Sequence, residues 1–585
     1  MHDIPWPAWP GFFVRVRTSR LEMQEYLEQQ LRIVLDGMGD SPPAFRLEFQ
    51  PPANPEHGDL ACNAALQLAR HFRRAPRQIA EEIAERLRAL PIDSSRIEGI
   101  DVAGPGFLNF RFAANYLTSE LRELLDRSED FGRSNAGSGK KALVEFVSAN
   151  PTGPLTVGHG RNAVLGDTIA SLLSWSGWEV SREYYFNDAG RQMRILAASV
   201  RSRYTALANP SMGTKTIGSG EDKTTVPESF PEDGYLGDYI VEIARSLFDE
   251  HGASLLDADD DTVFKTSAEK CIFEGIVRTL ARLGILMDTF FNEKSLYDSG
   301  RVWDVVEKLR EKGLAYDHEG AVWFKTTEFG KDKDTVLIKS TGEPTYRLPD
   351  IGYHVDKLER GFDLAVDIFG ADHIATFPDV LNGVESLGYD SDKIDVVIYQ
   401  FVTLIRGNEP VKMSTRKAQY VTLDELMDEV GEDVTRFFFL MRSSNTHLEF
   451  DLKLAREASE KNPVFYLQYA HARICSILRK AKEVSFEFDA QADLTLLSHE
   501  AESSLIKELI RFPQTVSRAA ETREPHRIAN YLRDVAVAFT QFYGHCRIIG
   551  ESSELASARM SLALATRIVL KNGLSVLGIS APDRM

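Results

Sequence analysis

Apolar residues in this chain recur with helical spacing at both ends and gather into short, strand-like runs in the middle. Near the start, Pro76 opens a segment in which Ile79, Ile83 and Leu87 share one helical face, and proline suits a first helical position. The phrase Gly104-Pro105-Gly106-Phe107-Leu108-Asn109-Phe110 then reads as a turn entering a strand. Residues 21 to about 115 are therefore predicted to form a small α+β domain. A Gly/Ser-rich stretch from Gly132 to Gly139 follows as a linker. From Lys141 the pattern changes. Leu143 to Val147 is a strand candidate, and a Pro/Gly loop comes next. A helix then starts near His159, with Val164, Leu165, Ile169, Leu172 and Leu173 as its apolar face, and Gly177 ends it. Trp178 to Phe186 predicts a second strand, which makes strand–loop–helix–strand, the opening of a parallel α/β unit. Leu364 to Phe369 and Ile394 to Phe401 are later strands. Between these halves lies a mostly helical insertion at about 190–300, in which the polar stretch from Ala208 to Ser229 is expected to be a mobile surface loop. From about Leu454 strand signals fade, and Val464, Leu467, Ala470, Ile474 and Leu478 mark an all-helical domain to residue 585.

At 585 residues the chain has room for roughly three or four domains. No apolar run approaches the roughly 20 residues of a membrane helix, and residues 1–20 lack the basic start and apolar stretch of a signal peptide. The expectation is a cytoplasmic protein without a membrane partner. Residues 1–20 are expected to be an unstructured leader or to precede the true start. Met23 opens an amphipathic run with Tyr26, Leu27, Leu31 and Val34, so Met1 and Met23 are both candidate starts. Cys62, Cys271, Cys475 and Cys546 are far apart and form no C-x-x-C pair, so neither zinc nor a disulfide framework is expected. The net charge of −19 argues against a nucleic-acid partner only on a whole-chain sum, since binding depends on where basic residues sit. Arg70, His71, Arg73, Arg74 and Arg77 form one local basic cluster, for which a solvated helix end is the plain account.

Two segments carry candidate chemistry. In the first, a strand enters a loop made of Ala149, Asn150, Pro151, Thr152, Gly153, Pro154, Leu155, Thr156, Val157 and Gly158, and the loop delivers His159 to a helix start. Free N–H groups and the positive dipole end suit a phosphate there, and Gly158 and Gly160 would let a ligand approach the backbone. A histidine so placed can donate to charge developing on a phosphoryl oxygen, although it can equally serve as a cap. In the second, Val411-Lys412-Met413-Ser414-Thr415-Arg416-Lys417 places cations on a short stretch after a strand, which fits a polyphosphate clamp or a solvated basic turn.

Together the two segments resemble the HIGH and KMSKS signatures of class I aminoacyl-tRNA synthetases. Other phrases resemble the arginine-specific family: Pro55-Glu56-His57-Gly58-Asp59-Leu60-Ala61, Asn187-Asp188-Ala189-Gly190-Arg191-Gln192, Asp350-Ile351-Gly352-Tyr353-His354, Gln468-Tyr469-Ala470-His471-Ala472-Arg473 and Leu577-Gly578-Ile579-Ser580-Ala581-Pro582. The resemblance runs from about Leu21 to the end. It implies a small N-terminal domain that contacts tRNA, a Rossmann-like parallel-sheet catalytic domain over 140–453, and a helical anticodon-binding domain over 454–585. It implies ATP, L-arginine and tRNA(Arg) as partners, an arginyl-adenylate intermediate, Mg2+ arriving with ATP, and a monomer. His159 and Lys412 would be catalytic, stabilising phosphate charge. Thr156, Gly158, Gly160, Gly370, Asp372 and Ser414 would complete the ATP site. The family's usual first histidine is Thr156 here, which can donate one hydrogen bond but carries no charge.

Arginine's guanidinium is planar, always charged and has five donors, so carboxylates should meet it. By resemblance, Glu145 and Asp350 would face it, Tyr346 would add a hydroxyl, and Ser148 and Asn150 would hold the α-amino end. Tyr466, Tyr469 and Arg473 would offer stacking groups to anticodon bases, while a buried aromatic stripe is the competing account. Two other functions remain open at this point: a paralogue that forms adenylates without charging tRNA, and a tRNA-binding protein without activity, for which Thr156 is the support.

Overall fold

Met23 begins the first helix, Met23–Asp36, whose buried face is Met23, Leu27, Leu31, Val34 and Leu35. The structure is a computed structural model. It describes residues 23–39, 45, 47–52, 54–218, 223–407, 409–411 and 421–585. The leader at 1–20 and the candidate phosphate ligands Lys412 and Ser414 lie outside the described residues.

The described chain divides into two units. One comprises the chain up to Asp126 with Gln491–Ile510, and the other comprises Arg127–Ala490 with Arg511–Met585. In the first, an antiparallel sheet runs Phe49–Gln50, Leu60–Cys62, Phe107–Phe112, Ile97–Ala103. The helix Pro76–Ala89 covers it, with Ile79, Ile83 and Leu87 fully buried. The basic cluster behind it is partly spent on surface ion pairs, Arg74 with Glu82 at 2.5 Å and Arg77 with Glu81 at 3.0 Å. Residues 491–510 join this unit through pairs that periodicity does not reveal. Lys507 meets the buried carboxylate of Asp59 at 2.5 Å, and Arg122 donates to the Ala492 carbonyl at 2.7 Å.

The second unit is built on a five-stranded parallel sheet: β1 (Lys141–Glu145), β2 (Glu179–Phe186), β3 (Thr289–Asn292), β4 (Leu364–Gly370) and β5 (Ile394–Tyr399). Their spatial order is β5-β4-β1-β2-β3. The chain winds outward from β1 in one direction, then returns and winds outward in the other. The order therefore reverses between β1 and β4, and ligands of open α/β sheets bind outside the carboxyl ends of the strands at such a point. Helix α1 (Val157–Trp175) links β1 to β2 and is buried almost all round, including its predicted apolar face. Gly177 follows it at φ 87°, in the left-handed region that ends helices.

Insertions leave this sheet after β2 and after β3. The first holds the helices Gly190–Ala208, Asp238–His251 and Thr262–Arg282. Within it, the stretch expected to be a mobile loop instead carries a ladder, Thr214–Ile217 against Thr224–Pro227, with Val226 buried. Its β-branched threonines, isoleucine and valine suit a ladder, which the polar composition obscured. The second forms the antiparallel sheet Ala315–His318, Ala321–Phe324, Thr335–Ile338 and leads into helix α2 (Arg347–Glu359). Long helices close the unit: α3 (Pro463–Glu483), then Phe512–Thr522, His526–His545 and Ser553–Val576. Buried Arg436 ties its last segment in, donating to the carbonyls of Leu577 (2.9 Å) and Leu283 (2.7 Å) and to Asp167 (2.7 Å). Gly578 beside it has φ 68°, and a Cβ there would fall 2.3 Å from the guanidinium, so no side chain fits.

Candidate active site

The chain leaves β1 through an unusual turn. Val147 and Ser148 have φ of 67° and 44°, a region that costs a β-branched residue of order 1–3 kcal/mol. The Ser148 N–H donates to the Phe146 carbonyl at 3.0 Å, closing a γ-turn around Val147. Asn162 on α1 holds the turn, accepting the Val147 N–H at 2.6 Å and donating to the Ile368 carbonyl of β4 at 2.8 Å. One buried amide thus spans the switch point, and the turn throws Ser148, Asn150 and the following loop over the sheet edge.

Below this turn lies a buried charge chain. Glu145, the last residue of β1, accepts from the Ser148 hydroxyl at 2.9 Å and from Lys357 of α2 at 2.6 Å. Lys357, 0% exposed, also donates to Asp367 of β4 at 2.5 Å. The other oxygen of Asp367 meets His354 Nε2 at 2.9 Å, and His354 Nδ1 meets the Asp350 backbone carbonyl at 2.7 Å. Both ring nitrogens face oxygen acceptors, so both are placed to donate. Burial drives the carboxyl groups up and Lys357 draws them down. At Asp367, with His354 as a second donor, the result is well below the usual carboxylate range, whereas at Glu145 burial outweighs Lys357 and the pKa is raised. Lys357 itself is raised, because its two carboxylates outweigh its own burial.

Asp350 is set apart from this chain. It stands in the first turn of α2 and its carboxylate accepts no hydrogen bond from the described residues. Part of its surface reaches solvent, but the group lies in a recess walled by protein. That desolvation, with Glu145 and Glu293 adding like charge against His354 and Lys357, pushes its pKa up to about 7. Glu293, just beyond β3, accepts from the Tyr185 hydroxyl at 2.6 Å and the Asn187 amide at 2.7 Å, and burial raises it. Asn150 joins the same wall, accepting the Asn187 N–H at 3.1 Å and donating to Gln192 at 3.0 Å. Tyr346 caps α2 and is 78% exposed, apart from the buried cluster in this structure.

The other end of the loop meets α1. Thr156 is the N-cap, and its side chain accepts the His159 N–H at 3.5 Å while the Thr156 N–H donates to His159 Nδ1 at 3.2 Å, a reciprocal cap. That bond leaves the imidazole proton on Nε2, and burial lowers the ring's pKa, so His159 is a neutral donor. At Gly158 a Cβ would meet only the Thr156 hydroxyl, at an ordinary contact distance of 3.7 Å. At Gly160 a Cβ would fall 2.6 Å from Leu423, so its small size serves packing against Leu423 and Phe439. The segment after residue 420 is pinned beside this cap: Thr422 bridges Thr156, and the Leu423 N–H donates to the Leu155 carbonyl at 2.8 Å. At the end of β4, Gly370 leads into the turn with Asp372, and His373 stacks on Phe369 at 4.9 Å.

In the helical segment Arg473 lies over Tyr469 at 5.0 Å and near Tyr543 at 5.7 Å, an exposed patch whose third member is 70 residues away. Tyr466 is occupied otherwise, its hydroxyl 3.0 Å from Thr540. The structure also gathers His471, Cys475 and Asp583 within 4.8 Å, which spacing did not suggest. Hydrogen bonds account for the trio, since the Cys475 thiol donates to Asp583 at 3.2 Å and His471 to the Pro582 carbonyl at 3.0 Å, with cationic Arg567 alongside. Glu293, Tyr185 and Lys357 were not identified from sequence. Asn187 lay in a quoted phrase, but nothing marked the other three.

Family models describe three consecutive parts of the chain: the arginyl tRNA synthetase N-terminal domain at residues 22–112, the catalytic domain of class I (R) tRNA synthetases at 120–446, and the DALR anticodon binding domain at 467–585. The chain is 63% identical over 564 residues to the arginine–tRNA ligase of Salinibacter ruber, covering 96% of this chain and 100% of that one. It is 47% identical to that of Desulfotalea psychrophila, covering 97% and 100%. Its fold matches the Thermus thermophilus arginyl-tRNA synthetase with a TM-score of 0.74 at 22% identity, over 96% and 100% of the two chains. A switch-point recess lined by carboxylates, a histidine at a helix start and three matching domains in order place this chain in the arginyl-tRNA synthetase family.

Proposed function

We propose that this chain ligates arginine to tRNA(Arg) in two steps: arginine and ATP give arginyl-adenylate and diphosphate, and the tRNA then takes the arginyl group and releases AMP. The observation that carries this reading is the pair of carboxylates, Glu145 and Asp350, brought from β1 and α2 to one recess at the switch point. Between them a guanidinium would find charge and paired acceptors. Ser148 and Asn150 stand above it, on the side of the α-amino group. The amino acid's carboxylate would then point along the loop toward the start of α1, where the ATP phosphates meet the helix N–H groups, Thr156, Gly158 and the Nε2–H of His159. Gly370 and Asp372 would border the nucleoside, and Lys412 and Ser414 would bind the phosphates. Lys412 and His159 act on charge that grows as the bond to diphosphate breaks.

Magnesium would come on the nucleotide. The gathered donor set at His471, Cys475 and Asp583 offers sulfur and imidazole, which do not suit an ion that takes oxygen ligands, so no protein ligand is assigned to it. Tyr469, Arg473 and Tyr466 are the proposed anticodon contacts, and the protein works as a cytoplasmic monomer. Among the described residues no helix is long and apolar enough to cross a membrane. Arginine-dependent ATP consumption with and without tRNA, followed by recovery of arginyl-tRNA, tests the whole reading. Adenylate without charged tRNA would make the chain an adenylate-forming paralogue. Absence of both with tRNA still bound would make it a binding protein.

A further inference from the structure

The start of α1, where His159 stands, is held by a neighbour that the chain's last residues hold in turn. The helix Glu432–Leu440 packs against α1. Its Phe439 sits where a Cβ on Gly160, the residue after His159, would fall. Its buried Arg436 donates to Asp167 of α1 at 2.7 Å, and Asp167 also accepts from Arg182 of β2 at 2.9 Å. Just after this helix, the carbonyls of Ser443 and Thr446 each accept from buried Arg161 of α1 at 3.1 Å. Residues 432–446 therefore grip α1 at two levels. Arg161 is two residues past His159, and Asp167 lies about 12 Å along the helix axis from it. The grip depends on the end of the chain. The Arg436 guanidinium also donates to the carbonyls of Leu577 at 2.9 Å and Leu283 at 2.7 Å. Asp433 on the same helix accepts the Ser580 N–H at 3.1 Å and the Ser580 hydroxyl. The tail is fastened to α3 in its turn, by Gln468 to the Ser580 carbonyl at 3.1 Å and Arg479 to the Asp583 carbonyl at 3.0 Å. A guanidinium is planar and its donors are fixed in a fork, so acceptors from three separate segments fix its plane.

We propose that Arg436 is a positioning residue for the phosphate end: held by the chain's last segment, it sets the helix Glu432–Leu440 against α1 and so fixes where the Nε2–H of His159 points. The inference rests on the reading that His159 acts on the ATP phosphates. The hydrogen bonds of Arg436 reach no residue assigned to ATP or to arginine, so it acts through α1. A donor that meets charge growing in the transition state must already stand at hydrogen-bonding distance and angle. A misplacement of about 1 Å can cost on the order of 10²-fold in rate. A helix moves as a rigid rod over a few turns, so a shift at Asp167 or at the contact of Gly160 with Phe439 is carried to its first turn. The two carboxylates read as arginine's partners come from β1 and α2 instead, so arginine affinity should be kept.

The test is the single-turnover rate of adenylate formation by the full chain, with the Kd of arginine and of ATP measured separately. Arg436→Lys keeps the charge but not the fork. It should slow adenylate formation by about tenfold or more, with little change in either Kd. Gly578→Ala, whose Cβ would press on the guanidinium from the tail, should give the same signature. In a His159→Ala background Arg436→Lys should cost little further, because the donor that it positions is already gone. A merely structural role predicts otherwise, namely the same factor in both backgrounds and weaker arginine binding. Thermal unfolding reports on the folding of each variant. If Arg436→Lys does not fold, Asp433→Ala takes its place. It releases Ser580 and Gln468 from the same helix and should show the same dependence on His159. Unchanged rates in the folded variants overturn the proposal, and so does an equal loss with and without His159. A different result, an unchanged rate in His159→Ala alone, overturns the reading of the phosphate end on which the proposal rests.

Discussion

The two ends of the site are built by opposite means. At the proposed amino-acid end, four ionisable side chains from β1, β4 and α2 are locked to one another under the sheet edge, and Lys357 has no exposed surface. At the proposed phosphate end, the first turn of α1 presents backbone N–H groups, a threonine cap and one neutral histidine, with no ion pair among them. A guanidinium has fixed charge and fixed geometry, so a rigid receptor can be built for it in advance. Phosphate charge redistributes during the reaction, and donors that act mainly in the transition state serve it better. The difference implies that damage at the first end shows as lost stability and lost binding, and damage at the second as lost rate.

The largest effect should come from Lys357→Met, which leaves Glu145 and Asp367 buried without their cation. Removing one partner of such a set costs about 3–5 kcal/mol, measured by urea or thermal unfolding at pH 7. The sign with pH is defined. The Asp367 pKa is depressed in the folded protein, so its pairing contributes stability above the usual carboxylate range and loses it as pH falls. The deficit of the variant should therefore shrink as pH falls below about 4. A deficit that does not change with pH would mean that packing, not charge, holds the chain together.

Next comes Asp350→Asn, which exchanges an anionic acceptor for an amide with its own donors. Loss of a partner to a desolvated charge costs roughly 2–5 kcal/mol, so arginine should bind correspondingly more weakly while ATP affinity is kept. Citrulline should lose less. Isothermal titration with the three ligands measures this directly. If ATP binding fell in parallel, the two ends would not be separate.

At the phosphate end, His159→Ala and Lys412→Ala should each slow adenylate formation on the order of 10²-fold, with little change in arginine Kd. Single-turnover kinetics separates the chemical step from binding. Unchanged rates in both would remove them from the mechanism. The smallest effect should be that of Thr156→Ala, which removes a helix cap worth about 1 kcal/mol. Thr156→Ser should be close to neutral in unfolding experiments. A loss in Thr156→Ala well beyond a cap, confined to rate, would give this threonine a chemical role.

Legibility from sequence followed the same division. The loop from Ala149 to His159, the strands on either side of α1 and the amphipathic faces of the terminal helices were all readable, because each depends on neighbours within a few residues. Asp350 was reached only through resemblance. Strand β3 was not predicted, since Thr289–Asn292 is four residues of half-exposed ladder with no alternation to detect. Nor was the joining of residues 491–510 to the first unit, which rests on pairs such as Lys507 with Asp59 across more than 400 positions. Val147 and Ser148 carried no sign of left-handed backbone, because neither is glycine, asparagine or aspartate, the residues that usually announce it.

The sequence by itself determined the local matters: where helices start and stop, which faces are apolar, and that a histidine follows a Pro/Gly loop at a helix start. Periodicity and capping act over one or two turns, so they are written in adjacent residues. The tertiary structure alone decided which charges meet. Lys357 is an ordinary helical lysine until β1 and β4 lie side by side in parallel register and enclose it between Glu145 and Asp367. Asp350 and Glu293 are 57 positions apart and are ordinary acids until the fold desolvates both and sets like charge beside Asp350. Burial and like charge are properties of a place rather than of a residue, and the place exists only once the chain has doubled back across its own first strand.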